Sequence, residues 1–343
     1  MKVAIIGGEL AGKTTFFCAV TGIDYNKALA SSAKGLSATI RVEDHRFKLI
    51  EDKVGKGKKI VCPTIELFDT PTMARDMFAS IREVDGIIAI VRLYDVAASS
   101  LPDKIKLCDN EIERIRAELF LADLDILEKR TERIKTQQKH PSQLKDEDAA
   151  ELDLLGRLLE ELPTKGAQVF DKLTIEDKKR LNGFKLFSQK PIMFIANVSD
   201  SDLQFENKSI AVVLSAKLEL ELSQMKEDER QPFMEGYGLK QLKIANLPTE
   251  IYHYMGYKMF FTIGKNDITG WGLRREADAL EAADKIHSDI SRGFIAAEVV
   301  SFDDWLSCGS DAVARAQAKY KTEGKTYKVK DGDIILFRFN VSR

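Results

Sequence analysis

Val3-Ala4-Ile5-Ile6-Gly7-Gly8-Glu9-Leu10-Ala11-Gly12-Lys13-Thr14 is the stretch whose reading decides the fold. Its first four residues are a compact apolar run, the mark of a strand buried on both faces. The next eight fit G-x-x-x-x-G-K-[ST] at every fixed position. Thr15-Phe16-Phe17-Cys18-Ala19-Val20 then reads as the apolar start of a helix. Such a loop wraps a phosphate chain with successive backbone N–H groups and the helix N-terminus, and bulky side chains would block that approach. The pattern assigns nucleotide contact to Gly7, Gly8, Glu9, Leu10, Ala11, Gly12, Lys13, Thr14 and Thr15. Lys13 is expected at the β- and γ-phosphates, and the Thr14 hydroxyl on Mg²⁺.

Composition sets bounds around that reading. A chain of 343 residues exceeds one ordinary core, so two or three domains are expected. A hydrophobic share of 44% and a charged share of 31% describe a soluble globular protein. The net charge of −2 supplies no field that would draw the chain to DNA or to a membrane surface. Cys18, Cys62, Cys108 and Cys308 are scattered, with no C-x-x-C pair to hold zinc or run redox chemistry. No apolar run reaches the length of a membrane span. The expectation is a cytoplasmic protein.

From residue 1 to about residue 98, short apolar runs alternate with helical stretches, the pattern of an open α/β sheet. Ile60 to Phe68 reads as one strand and Gly86 to Val91 as a buried one. The texture changes between Asp103 and Leu162. Ile112, Ile115, Leu119, Ala122 and Ile126 lie on one helical stripe, His140-Pro141-Ser142 interrupts, and Leu152, Leu155, Leu158 and Leu159 resume. This predicts an antiparallel coiled-coil hairpin that buries its stripe mainly on itself. Strand texture returns at Pro191–Ala196 and Ile210–Leu214, so the hairpin is inserted into the α/β domain.

A second nucleotide signature follows the insertion. Asn197-Val198-Ser199-Asp200 stands at the carboxyl end of the Ile195 strand, where open α/β sheets bind ligands. Leu214-Ser215-Ala216-Lys217 ends the next strand and is similar to the S-A-K turn that backs the base in GTP-binding domains. Asn197, Val198, Asp200, Ser215, Ala216 and Lys217 are therefore assigned to base recognition, and Asp69, together with Thr14, to the metal. Trp271 and Trp305 read as packing residues, and His287 as a hydrogen-bonded structural histidine.

Several long segments together resemble the YchF / Obg-like ATPase family, P-loop GTPases of the translation-factor-related class. They are Ile81-Arg82-Glu83-Val84-Asp85-Gly86-Ile87-Ile88, Ala117 to Asp125, Ala196-Asn197-Val198, Ile286 to Ile295, and Gly324 to Asp333. The resemblance implies an α/β P-loop G domain with an inserted α-helical coiled-coil hairpin and a C-terminal α+β, ubiquitin-like TGS domain. The implied boundaries are 1–98 with 185–258 for the G domain, 99–184 for the hairpin and 259–343 for the TGS domain. It further implies binding of ATP or GTP with Mg²⁺, slow hydrolysis, and the ribosome or other translation machinery as partner.

Departures from the family pattern bear on catalysis. Leu10 replaces an Asn associated with monovalent-cation use. Asp69-Thr70-Pro71-Thr72 stands where D-x-x-G is expected, and the glycine-rich stretch after it is missing. The switch-I threonine falls near Ser32. The loop that carries a proposed catalytic histidine is shortened to Tyr94–Pro102 and has none. No catalytic residue is assigned. Val198 occupies the lysine position of N-K-x-D, which leaves ATP and GTP both open, with ATP favoured by the resemblance. The alternative to an eroded triphosphatase is a degenerate, non-hydrolysing nucleotide-binding module. Basic and acidic residues are nearly balanced from Lys258 onward, so no nucleic-acid footprint appears there.

Overall fold

A computed structural model describes residues 1–31, 35–55, 57–70, 78–79, 81–96, 100–137 and 146–340. Two compact units divide them: Met1–Ala38 with Leu67–Lys240, and Thr39–Glu66 with Gln241–Arg343. The strands in chain order are β1 Lys2–Gly7, β2 Leu36–Arg41, β3 Lys59–Val61, β4 Thr64–Asp69, β5 Gly86–Arg92, β6 Ile192–Asn197, β7 Val212–Leu214, β8 Tyr257–Ile263, β9 Asp267–Arg274, β10 Phe294–Val300, β11 Lys321–Glu323 and β12 Ile334–Phe339.

The first sheet has the order β2-β4-β1-β5-β6-β7. Its centre is parallel, with Ile5 beside Ile88, Ile88 beside Met193, and Ala196 beside Val213. β1 and β5 are buried along nearly their whole length, as strands covered on both faces must be, which explains their unbroken Val/Ile/Ala runs. The helix α1, Lys13–Thr21, follows β1 directly and buries Phe16, Phe17, Cys18 and Ala19. Phosphate loop, Asp69 and base loop all lie at carboxyl ends of these strands, where an α/β sheet leaves a crevice.

The run Ile60–Phe68 is not one strand. It breaks at Cys62-Pro63, and β3 joins the second sheet beside β9 while β4 joins the first. Proline has no amide to give to a ladder, so pairing stops there. Residues 39–66, which the sequence boundaries place in the G domain, belong to the second unit. The helix α2, His45–Val54, is capped by the Asp44 side chain. Its Arg46 bonds both Asp44 and Asp331, and Phe47 meets the Phe261 ring edge-on at 5.2 Å.

The predicted hairpin forms helices Leu101–Gln137 and Asp146–Lys165. The break at His140-Pro141-Ser142 lies outside the described residues. The stripe is divided between two cores, which corrects the expectation of a self-contained hairpin. Cys108, Ile112, Ile115 and Leu119 pack into the G-domain core with Ile87, Ala89, Val91 and Phe187. Beyond them Leu127 and Ile134, with the partly buried Phe120, Leu124 and Ile126, pack against Leu154, Leu155, Leu158 and Leu162. Asp123, fully buried, marks the transition. Its carboxylate accepts from the Phe187 amide at 2.7 Å, the Ser188 amide at 2.8 Å and the Ser188 hydroxyl at 2.5 Å, fastening the helix to the chain before β6.

The second unit is α+β, with sheet order β11-β10-β12-β8-β9-β3. β8 and β9 form an antiparallel hairpin, and β12 joins β8 in parallel. The helix Ala279–Ile286 has a capping box of Asp278 and Glu281 and packs Ala279, Ala282 and Ala283 into the core beside Phe260, Val299 and Phe337. Trp305 is fully buried and donates to Asp311; Trp271 donates to Thr262 at 2.9 Å. His287 accepts from the Asp289 amide at 3.1 Å.

Candidate nucleotide-binding site

The loop between β1 and α1 makes the turn that the motif requires. The Ala11 amide bonds the Gly8 carbonyl at 3.3 Å, and the Phe16 amide bonds the Gly12 carbonyl at 2.9 Å to start the helix. Gly12 has φ of +88°, and a Cβ there would meet the Asn197 amide nitrogen at 2.3 Å, so both conformation and space demand glycine. Leu10 is left-handed too, with φ of +56°, and its side chain is 69% exposed. Its carbonyl accepts from the Tyr94 hydroxyl.

Lys13 folds back over its own loop. Its Nζ donates to the Gly7 carbonyl at 3.1 Å and the Gly8 carbonyl at 3.0 Å. Burial lowers its pKa, while the negative charges of Asp69 and Glu9 pull it part of the way back. An ammonium has three donors, so this position suits a cation that trades carbonyl partners for phosphate oxygens. Thr14 donates its hydroxyl to Asp69 Oδ2 at 2.7 Å. Asp69 is buried at the end of β4, and its Oδ1 has no hydrogen-bond partner among the described residues. Burial pushes its pKa above the usual carboxylate range, against the Thr14 hydrogen bond and the Lys13 charge. A buried carboxylate oxygen without a partner, next to a hydroxyl, is the hard-oxygen donor set that Mg²⁺ takes. The residues fit the metal.

Asn197 joins the two signatures. Its Nδ2 donates to the Ala11 carbonyl at 3.0 Å, and its Oδ1 accepts from the Ala216 amide at 2.9 Å. The S-A-K turn is itself a helix start, with Ser215 capping Leu218 of the helix Ala216–Gln224. A cavity of about 580 Å³ lies between loop and turn, lined among others by Gly12, Thr15, Asn197, Val198, Asp200, Ser215 and Lys217. Val198 is 2% exposed and its side chain belongs to the apolar core, so it offers the cavity backbone only. Gly7, Gly8 and Glu9 stand earlier in the loop, outside the cavity's lining; Ser32, Pro71 and Thr72 lie outside the described residues.

Several cavity residues escaped the sequence reading, among them Tyr25, Tyr94, Asp95, Leu220 and Glu221. Tyr94 follows β5, and its ring lies 5.1 Å from the Arg92 guanidinium carbon. Its place at a strand's carboxyl end was the available signal.

The whole chain aligns with curated relatives. Ribosome-binding ATPase YchF of Bacillus subtilis (strain 168) is 32% identical over 99% of this chain and 100% of that protein. The chain belongs to the YchF family. The protein of the same name from Escherichia coli O157:H7 is 29% identical, covering 99% of each chain. Residues 257–340 match the family model YchF-GTPase_C, described as "Protein of unknown function (DUF933)". Among solved structures, the Schizosaccharomyces pombe YchF GTPase aligns with a TM-score of 0.77 at 22% identity, covering 98% of this chain and 97% of that one. A GTP binding protein from Pyrococcus horikoshii OT3 gives 0.61 at 15% identity, over 99% and 100%. At these identities the two structures show a shared fold. Among the described residues, no helix is long and apolar enough to cross a membrane.

Proposed function

We propose that this chain is a cytoplasmic nucleoside triphosphatase that binds ATP or GTP with Mg²⁺ between the phosphate loop and the S-A-K turn, and hydrolyses it slowly. The double hydrogen bond of Asn197 to Ala11 and Ala216 carries this reading. It holds the phosphate-side and base-side loops in one register around a cavity sized for a small ligand. The names of the B. subtilis and E. coli relatives support an ATPase that binds the ribosome.

In this reading Lys13 exchanges the Gly7 and Gly8 carbonyls for β- and γ-phosphate oxygens, and the loop amides fix the phosphate chain. Thr14 and Asp69 would hold Mg²⁺, which when bound neutralises charge developing on the phosphates. Asn197 keeps the loop from spreading, and Asp200 reads the base edge from the cavity wall. Phosphoryl transfer asks a protein for position and charge more than for covalent chemistry. The absence of a histidine from Tyr94–Pro102 favours a low rate, and it also supports a second reading, a non-hydrolysing nucleotide-binding module. Calorimetry with ATP and GTP in Mg²⁺, beside single-turnover hydrolysis on one preparation, separates them. Binding with slow turnover supports the triphosphatase, and binding without turnover supports the module. Lys13→Ala should weaken binding at least about tenfold, or ~1.4 kcal/mol; equal affinities would reject both readings.

A further inference from the structure

A cation stands beside the phosphate loop that neither the loop motif nor the base signature supplies. Arg114 projects from the helix Leu101–Gln137, on the part of the helix that packs into the G-domain core between Ile112 and Ile115. An ideal Cβ built on Gly8 would lie 3.2 Å from Arg114 Nη2 and 3.2 Å from Glu111 Oε1. Gly8 is the residue whose carbonyl takes the Lys13 ammonium at 3.0 Å. Lys13 thus lies against one side of Gly8 and the Arg114 guanidinium against another. A side chain at position 8 would crowd the guanidinium and the Glu111 carboxylate, which would have to give by a few tenths of an ångström.

Arg114 is restrained where it stands. Its Nε and Nη2 bond the two oxygens of Glu111 at 2.8 and 2.7 Å, and its Nη1 bonds Glu118. The side chain is still 42% exposed, so the fork has room to turn toward the loop. These are helical pairs at spacings of three and four, which hold a geometry but contribute little free energy when exposed. A phosphate oxygen with developing charge is a stronger partner for a planar five-donor fork than a solvated carboxylate pair.

We propose that Arg114 is a catalytic residue that turns from Glu111 and Glu118 onto the γ-phosphate and acts as an arginine finger supplied by the chain's own hairpin helix. The proposal rests on the triphosphatase reading above. In the reaction, a water oxygen bonds to the γ-phosphorus and the bond from that phosphorus to the β,γ-bridging oxygen breaks. Nucleoside diphosphate, inorganic phosphate and a proton leave, and Arg114 stays protonated throughout. Its charge opposes the negative charge that gathers on the transferring oxygens, the work the shortened Tyr94–Pro102 loop has no histidine to share.

The test compares wild type with Arg114→Ala and Arg114→Lys, each checked for a wild-type thermal transition; Arg114→Gln replaces the alanine variant if that one fails to fold. Affinities for ADP, for a non-hydrolysable ATP analogue and for ADP with aluminium fluoride are measured beside single-turnover hydrolysis. Arg114→Ala should leave the first two within about twofold, while turnover and fluoride-complex affinity each fall at least about tenfold. Arg114→Lys, with the charge but not the fork, should recover only part of the loss. Turnover equal to wild type, or an equal loss in all three affinities, would overturn the proposal, the latter pointing to a structural role. Absence of nucleotide binding by wild type would instead remove the triphosphatase reading and this inference together.

Discussion

Thr14 donates its hydroxyl to one oxygen of the Asp69 carboxylate at 2.7 Å, while the other oxygen is buried with no partner among the described residues. The pair sets two hard oxygens side by side, joined by a single hydrogen bond. It has a thermodynamic cost without a cation, because a buried carboxylate short of partners disfavours its charged form. That cost gives the site a pH signature.

Asp69 has a raised pKa in the folded chain, chiefly from burial, so the folded state binds its proton more tightly than the unfolded state. By linkage, the metal-free protein should lose stability as pH rises through the window just above the ordinary aspartate range. Mg²⁺-dependent nucleotide affinity should rise across that same window, as the carboxylate becomes available. Asp69→Asn should flatten both slopes and cut Mg²⁺-dependent affinity at least about tenfold, with metal-free stability unchanged or higher. Melting temperature against pH, with and without Mg²⁺ and nucleotide, checks it; an unaltered pH slope in the variant would place the titration elsewhere.

Asn197 offers a sharper separation of binding from folding. It is 4% exposed and satisfies one carbonyl and one amide, so Asn197→Ala strands two buried backbone groups. Each stranded group costs about 1–3 kcal/mol. The variant should unfold at a lower temperature and bind nucleotide more weakly, because the phosphate loop is no longer tied to the S-A-K turn. Asn197→Asp keeps the acceptor for the Ala216 amide but puts a second oxygen against the Ala11 carbonyl. It should therefore be no better than alanine in affinity, measured by calorimetry, and recovery of wild-type affinity would refute the two-way tie.

The divided hairpin makes a prediction that the helical stripe alone would get backwards. Removing Asp103 to Leu162 takes Ile112, Ile115 and Leu119 out of the G-domain core. At about 1.5–3 kcal/mol for each large apolar side chain, the loss rivals the whole stability of a domain. That deletion should show no cooperative thermal transition. Arg130 and Glu151 face each other across the hairpin in a two-pronged pair at 2.7 and 2.8 Å, so chain ends there can be joined by a short Gly/Ser bridge. Deleting residues 131–150 should leave a cooperative melt and nucleotide binding intact. The opposite ranking of the two deletions, by calorimetric scanning, would mean the hairpin core is independent.

What the sequence made legible was what it stores locally. The loop Gly7–Thr14, the strand runs before it and at Gly86, and Asn197 to Asp200 are each contiguous, and their chemistry follows from neighbours in the chain. The stripe Ile112–Ile126 was legible as a stripe, but a 3.6-residue period says only that a face is covered and not by what. Asp123, which fastens the helix to Phe187 and Ser188, is 64 and 65 residues from these partners, a pairing that no spacing rule predicts. The same holds for Arg114 beside Gly8. The break between β3 and β4 was signalled by Pro63 and outweighed by the apolar run around it.

Leu10 gives the last prediction, because its backbone and its side chain point the same way. A leucine at φ of +56° sits where Cβ crowds the following carbonyl, a strain of about 1–2 kcal/mol that asparagine and glycine largely escape. Its side chain is exposed and hydrocarbon, with no oxygen to give a monovalent cation beside the phosphates. Turnover in wild type should therefore be the same in potassium and in sodium, and slower than about 1 s⁻¹, the low end of ordinary enzymes. Leu10→Asn should fold at least as stably as wild type, since asparagine accepts the left-handed conformation. It also restores a side-chain oxygen at the position where the family carries one. If that oxygen is what potassium needs, hydrolysis by the variant should become faster in potassium than in sodium, at saturating ATP and unchanged nucleotide affinity. Potassium stimulation already present in wild type would show that another group in the site supplies the oxygen. A Leu10→Asn variant markedly less stable than wild type would show that the exposed leucine is held by contacts that its open position does not suggest.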